Sequence, residues 1–463
     1  MACSKLFSGD LPELMNKIIQ YFHYDYKTLH SCIFVNRLWC RLAIPLLWED
    51  PFSIKFPKNY YFIEIYLNNL NDDDKVKLNE YIIHNKLFPL KTLFNYPRFI
   101  KHLDAYKVKQ HSNYSIKNAN LSLSQITKLI FGSLILLFIK NEANLHSFKV
   151  TTCIGYDNEI IELILQNQNL KKISFGYGYE YSLYHSLLSL NNLNCSNTLN
   201  TIIFYYINFK NINVLSEVFN QLNVLESIHI IYCYHLDSKF IQQINNIIKP
   251  FKLKSLFLNE MNYESLESLI QKSGNYLENF GGYHHGSQKL LQLIIKYCNK
   301  IKFLFPIWPN EQFIYLVFNI IENIKQNLNY LSIDLGYNTS STILQNLGQI
   351  LPFKLEYLNL RLNMINTNDL EFFLKNSQNI FIKKLLIKNT KNENCQNIFP
   401  YIKEYIMKRK RIKYLAIRET LCSKSEDLFF SKDKVMEFKL YGIQVLNYDD
   451  LVIDIYSFII ETY

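Results

Sequence analysis

A short pattern, apolar-x-x-apolar-x-apolar, returns along most of the chain. Clear copies run Leu145–Val150, Leu170–Phe175, Leu199–Phe204, Leu225–Ile230, Leu253–Leu258, Leu328–Ile333, Leu355–Leu360, Ile382–Ile387 and Ile412–Ile417, with a looser one at Val435–Leu440. Two degenerate copies, Leu277–Gly282 and Ile301–Pro306, keep the phase, so first residues lie 23 to 30 positions apart. Between the copies lie helical patterns such as Glu159–Leu165, Val214–Phe219 and Asp369–Leu374. A strand followed by a helix cannot bury its apolar side alone, so such units must stack on their neighbours. The expectation is an α/β solenoid with parallel strands inside and helices outside, over 141–463, in about 11–12 units.

The first fifty residues follow a different period. Asp10 and Glu13 have the spacing of a capping box, and Pro12 fits the first helical turn. Leu14, Met15, Ile18, Ile19 and Phe22 then recur at helical intervals. A second helix is expected from Lys27 to Val35, with Leu29, Cys32 and Ile33 inward. A third carries Trp39, Leu42, Ala43, Leu46 and Leu47 up to Trp48, with Pro45 expected to kink or break it. Such a small module rarely buries enough surface to stand alone, so its spare apolar groups should seek the next domain or a partner.

The stretch 51–140 reads as an irregular helical connector. Asp72-Asp73-Asp74 starts a helix there rather than binding metal, since no further ligands are spaced around it. Phe99–Asp104 is a poorly matched early strand, and Ile126–Ile139 a buried helix too short to span a bilayer.

Composition narrows the picture further. Across 463 residues, 12 Gly and 11 Pro are too few for a sandwich of tight hairpins. With 49% hydrophobic residues there is ample material for a core. Nine Cys without a C-x-x-C pair, and no apolar leader after Met1, point to a reducing cytoplasm or nucleus. The net charge of +10 is modest for this length and by itself a weak case for nucleic acid. Lys408-Arg409-Lys410-Arg411 reads either as cations at a helix C-terminus or as a nuclear address. His284-His285 with Cys298 lacks a zinc spacing and a fourth ligand, so no metal or cofactor is expected. No P-loop, G-x-S-x-G, H-E-x-x-H or dinucleotide turn is present, and no catalytic residue is nominated.

Two resemblances follow. Leu11-Pro12-Glu13-Leu14, Ile18-Ile19, Val35-Asn36-Arg37-Leu38-Trp39 and Pro45-Leu46-Leu47-Trp48 resemble the F-box motif in order and spacing. His23-Tyr24-Asp25-Tyr26 replaces the Pro-containing turn often seen in that family. The strand–helix repeat resembles leucine-rich repeats, and Leu355, Leu358, Leu360, Asn363 and Ile365 match their fuller consensus. Cys153 and Cys233 take the Asn363 slot, which in that family hydrogen-bonds the turn backbone, so both thiols are expected to be structural.

Together the resemblances imply a three-helix F-box module at 1–50 and a leucine-rich-repeat array beyond residue 140. The implied function is the non-catalytic substrate receptor of a Skp/cullin/F-box-type ubiquitin ligase. Its implied adaptor-binding residues are Leu11, Pro12, Leu14, Ile18, Ile19, Val35 and Trp39, through which a Skp-type adaptor and a cullin would be recruited. The open alternatives are a small helical cap on the array, and a leucine-rich-repeat scaffold with no ubiquitin link.

In each strand the positions between the apolar ones should face the concave surface. That rule selects Tyr205, His229, Phe257, Tyr330, Asp334, Tyr357, Arg361, Lys384, Lys388, Tyr414 and Arg418. Tyr330, Tyr357 and Tyr414 share one slot with Lys384, while Arg361, Lys388 and Arg418 form a parallel basic row. The patch reads as a grip for an acidic or phosphorylated protein substrate, or equally as solvated strand residues.

Overall fold

A computed structural model describes residues 12–23, 25–54, 61–70, 75–76, 92–115, 123–151, 158–167, 170–178, 180–191, 194–259, 263–282, 288–305, 311–334, 339–392, 395–407, 411–421 and 424–463. Leu11, Asp72–Asp74, Cys153, His284, His285 and Lys408–Lys410 lie outside them. The fold is α/β, with mostly parallel strands alternating with helices in a solenoid-like arrangement. Contacts gather the chain into two compact units: 1–202 with 221–225, and 203–220 with 226–463.

The first unit opens with three helices, α1 (Pro12–Tyr21), α2 (Tyr26–Cys32) and α3 (Arg37–Leu47). Asp25 caps α2 by accepting from the Thr28 amide, and Asn36 caps α3 by accepting from Trp39 N. Helix α3 continues through Pro45. Proline there lies in the last turn and removes a donor only from the carbonyl of exposed Arg41. Met15, Ile19, Leu29, Cys32 and Ala43 form the module's core, with Phe22, Ile33, Trp39 and Leu42 packed around it.

Strands β1 (His102–Asp104), β2 (Ser147–Thr151) and β3 (Lys172–Gly178) follow, paired in parallel. Helices 105–115 and 123–140 lie between β1 and β2, and 158–167 between β2 and β3. The expected early strand at 99–104 is thus β1, and the apolar stretch 126–139 lies in a helix with Ile130, Leu134 and Phe138 buried. Among the described residues no helix is long and apolar enough to cross a membrane.

Strand β4 (Thr201–Ile207) begins at the division between the units. In the second unit come β5 (Ser227–Cys233), β6 (Leu253–Leu258), β7 (Asn279–Gly282), β8 (Phe303–Leu304), β9 (Tyr330–Asp334), β10 (Lys354–Asn363), β11 (Phe381–Lys391) and β12 (Ile412–Leu421). From β5 onward each pairs in parallel with the next, with helices between them. Beyond β12, β13 (Lys424–Asp427) turns back antiparallel, and β14 (Gln444–Val445) returns parallel on β12.

Two expectations shift. Val435–Leu440 is not a strand: it falls in a helix, Lys432–Leu440, whose only buried residue is Phe438. In the copy at 225–230 the frame slips. Leu225 is only half-buried, and His229 pairs with Ser255 rather than with Phe257. The register shifts twice along this pair, between Ile228 and His229 and again between Ile231 and Cys233, where Tyr232 takes a left-handed φ of 53°. Tyr206 in β4 does the same, with φ 52°. Cys233 is buried there, its Sγ 3.5 Å from the carbonyl oxygen of Phe204, and burial pushes its thiol up to about 12.

Candidate functional site

The strand register brings eight of the selected residues, those on β9 to β12, into two rows. Tyr330, Tyr357, Lys384 and Tyr414 are consecutive partners across β9 to β12. Asp334, Arg361, Lys388 and Arg418 form the next row along the same strands. One row is three parts tyrosine, and the other is basic with an acid at its edge.

This face is not open to solvent. Residues 448–463, comprising a turn of helix (Tyr448–Leu451) and a longer helix (Ile455–Thr462), lie against it. Tyr448 and Leu451 pack with Tyr357, Leu386 and Ala416, leaving Tyr357 only 1% exposed. Ile455, Tyr456 and Ile459 enter an aromatic and aliphatic cluster with Ile231, Tyr232, Phe257, Phe303 and Phe305. The Tyr456 ring stacks on Tyr205 at 4.2 Å between centroids, and Phe458 meets Phe303 and Tyr330 edge-on.

Polar contacts fix the segment's register. Tyr448 donates its hydroxyl to Asn359 Oδ1 at 2.8 Å, and its amide to Asp427 Oδ2 at 3.0 Å. Burial pushes the Tyr448 phenol up to about 12. Tyr463 lies over the His229 ring, 4.4 Å between centroids, with its hydroxyl 3.0 Å from both Asn279 Nδ2 and Glu278 Oε2. Burial alone would raise the Glu278 carboxyl, but hydrogen bonds from Lys254 and Lys302 hold it down to about 2.

Most of the basic row is already satisfied. Arg361 pairs with Asp334 at 2.8 Å. Arg418 grips Asp449 through both terminal nitrogens, at 2.7 and 2.9 Å, and reaches Asp427 at 3.3 Å. Hydrogen bonds from Arg418 lower the Asp449 pKa. Lys388 sits half-buried between the two arginines, its pKa lowered by burial and then by their charge. The sequence rule found the strand residues of this site but not their occupants, which come from one segment with no repeat pattern. The available signal was compositional: 448–463 carries Asp449, Asp450, Asp454 and Glu461 and no Lys or Arg, in a chain of net charge +10.

The N-terminal anchors divide by exposure. Pro12 is exposed, Leu14 is 46% exposed and Val35 53%, while Ile18 and Trp39 are half-buried and Ile19 is fully buried. The single helical face expected from Leu14 to Phe22 is in fact two stripes. Met15, Ile19 and Phe22 turn to the core, while Leu14, Ile18 and Tyr21, at i, i+4 and i+7, lie on the other side. Tyr21 (88% exposed) and Phe34 (76%) were not singled out from the sequence. Splitting the helical periodicity into two stripes would have found Tyr21; Phe34 lies in the turn before α3, where no periodicity applies.

One cluster has the connectivity of a catalytic triad. Ser147 Oγ lies 2.8 Å from His102 Nδ1, and His102 Nε2 lies 3.2 Å from Glu49 Oε1. His102 and Ser147 are cross-strand partners, however, and His229 with Ser255 repeats the pair at 2.7 Å on β5 and β6. The Ser147 amide already donates to Lys101 O, so it is not free to form an oxyanion hole. These pairs are accounted for as ladder contacts. Cys298 is buried, which pushes its thiol up to about 12, and no cluster of metal ligands occurs among the described residues. Arg411 donates to the Ser377 carbonyl at the end of helix 367–376. No family model matches the chain, and no curated protein matches it.

Proposed function

We propose that the chain is the substrate-recognition subunit of a Skp/cullin/F-box-type ubiquitin ligase. In this reading α1–α3 form an F-box that docks a Skp-type adaptor, and a leucine-rich-repeat array captures a protein for ubiquitination. The observation that carries it is the exposure of Leu14, Tyr21, Phe34 and Val35 on a module whose own core is already filled. Apolar groups left in water after a small core is complete are the usual anchors of a partner interface. The sequence resemblance places several of the family's docking residues at or beside them.

Ile19 and Trp39 belong to the module's own core, which favours a second reading: a leucine-rich-repeat interaction scaffold capped by three helices, with no ubiquitin link. Leu14→Asp and Val35→Asp separate the two, because both positions are exposed and the module should fold regardless. Under the receptor reading, co-purification of the full chain with a Skp-type adaptor and cullin weakens by about 100-fold in each variant. Recovery of neither protein by the wild type leaves the scaffold reading.

A further inference from the structure

We propose that residues 448–463 occupy, within the molecule, a binding face for an acidic amphipathic segment of a partner protein. The inference rests on reading this face as a partner-binding surface, but not on the adaptor link. Three observations carry it. The segment, YDDLVIDIYSFIIETY, has four carboxylates and no cation, and its Asp449 is bound by Arg418 in the basic row. The charge complementarity between face and occupant is carried by that pair, while Asp454 caps the segment's own helix by accepting from the Ser457 amide.

Secondly, Tyr448 and Asp449 are fixed to the sheet by Asn359, Asp427 and Arg418 side chains, and Tyr463 by Asn279 and Glu278. Side-chain docking of this kind can exchange one occupant for another without breaking the strand ladder. Thirdly, the longer helix has 8 residues, too few to hold a helix in water, so its shape is supplied by the face. Ile455, Tyr456, Phe458 and Ile459 enter the aromatic cluster, the anchor pattern of a helix laid in a groove.

The partner is thereby specified: a chain segment with a carboxylate, then, six residues on, the first of four apolar anchors spaced like Ile455, Tyr456, Phe458 and Ile459. A phosphorylated side chain in place of Asp449 would meet Arg418 and the adjacent Lys388.

The test uses the full-length chain and a fluorescent synthetic peptide of residues 446–463. In the full-length variant Asp449→Ala/Tyr456→Ala the resident segment is loosened, and the peptide binds. The wild type binds it at least about 10-fold more weakly, because only its open fraction is competent. A peptide carrying Asp449→Arg binds the loosened variant less well than the native peptide. Equal binding by wild type and variant, or by neither, overturns the proposal. Should the variant lose its fold, hydrogen exchange of the wild type decides. Amides of 455–462 must exchange faster than those of β10–β12, and exchange at the same rate marks a core element and ends the idea. Adaptor capture is expected to be the same in wild type and variant, so loss of either reading shows independently of the other.

Discussion

Glu49 is a carboxylate buried beneath three partners: Lys101 Nζ at 3.0 Å, His102 Nε2 at 3.2 Å and His23 Nε2 at 3.4 Å. Its backbone carbonyl accepts from the amides of Lys101 and His102. One residue at the end of α3 thus ties the helical module to β1. Burial pushes the carboxyl up, yet hydrogen bonds from His102 and Lys101 outweigh it and hold the pKa at about 2, below the ordinary 4.5. A pKa depressed in the folded chain adds stability that is fully present above the ordinary value. It is lost as pH falls from there towards 2. We expect the thermal midpoint of the wild type to fall between pH 5 and pH 3, and Glu49→Gln to be lower at neutral pH and flatter across that window. The substitution should cost about 1.5–3 kcal/mol at pH 7, the worth of hydrogen bonds to a charged group. A variant as stable as the wild type at both pH values would show that the cluster is ornamental to folding.

At the scale of elements, the salt bridge between Arg418 and Asp449 holds the 448–451 turn onto β12 and β13. Arg418→Glu places a carboxylate beside Asp427, whose side chain is nearly buried, and beside Asp449. Stability should drop by roughly 3 kcal/mol. Adding Asp449→Arg should restore only part of it, since the pair is re-formed with its charges exchanged while Asp427 still faces the carboxylate introduced at position 418. Chemical denaturation of the single and double variants measures both steps, and a double variant no better than the single one argues against the pair. This element also marks where sequence reading stops. Strands β2–β12 were legible because their apolar positions recur, and even β7 kept the period despite Gly281 and Gly282. The frame at β5 was lost because its two register shifts, at Ile228–His229 and around the left-handed Tyr232, have no sequence signature. The motif at Val435–Leu440 misled because a helix also places apolar residues three apart. The covering of Tyr330, Tyr357 and Tyr414's face was hidden because side chains brought together across some ninety residues, as Tyr448 and Asn359 are, leave no periodic trace.

At the scale of the whole molecule, repeats communicate mainly through their neighbours, so a local defect should be felt locally. Gly281 provides the means to test this. A Cβ there would lie 2.5 Å from Phe305 Cβ, 3.2 Å from Phe305 Cα and 3.2 Å from Phe257 Cδ1, so the glycine of the degenerate copy makes room for the Phe305 main chain and the Phe257 ring. Gly281→Ala should therefore cost about 1–3 kcal/mol by overpacking. Glu49→Gln introduces a comparable defect in the other compact unit. Hydrogen exchange followed by mass spectrometry separates their reach. Gly281→Ala should accelerate exchange in β6–β9 while 12–151 keeps its wild-type protection, and Glu49→Gln should do the reverse. An array this long is expected to lose all-or-none cooperativity. If instead either substitution raised exchange evenly along the chain, the two units would unfold as one, and stability would have to be treated as a property of the full array rather than of its parts.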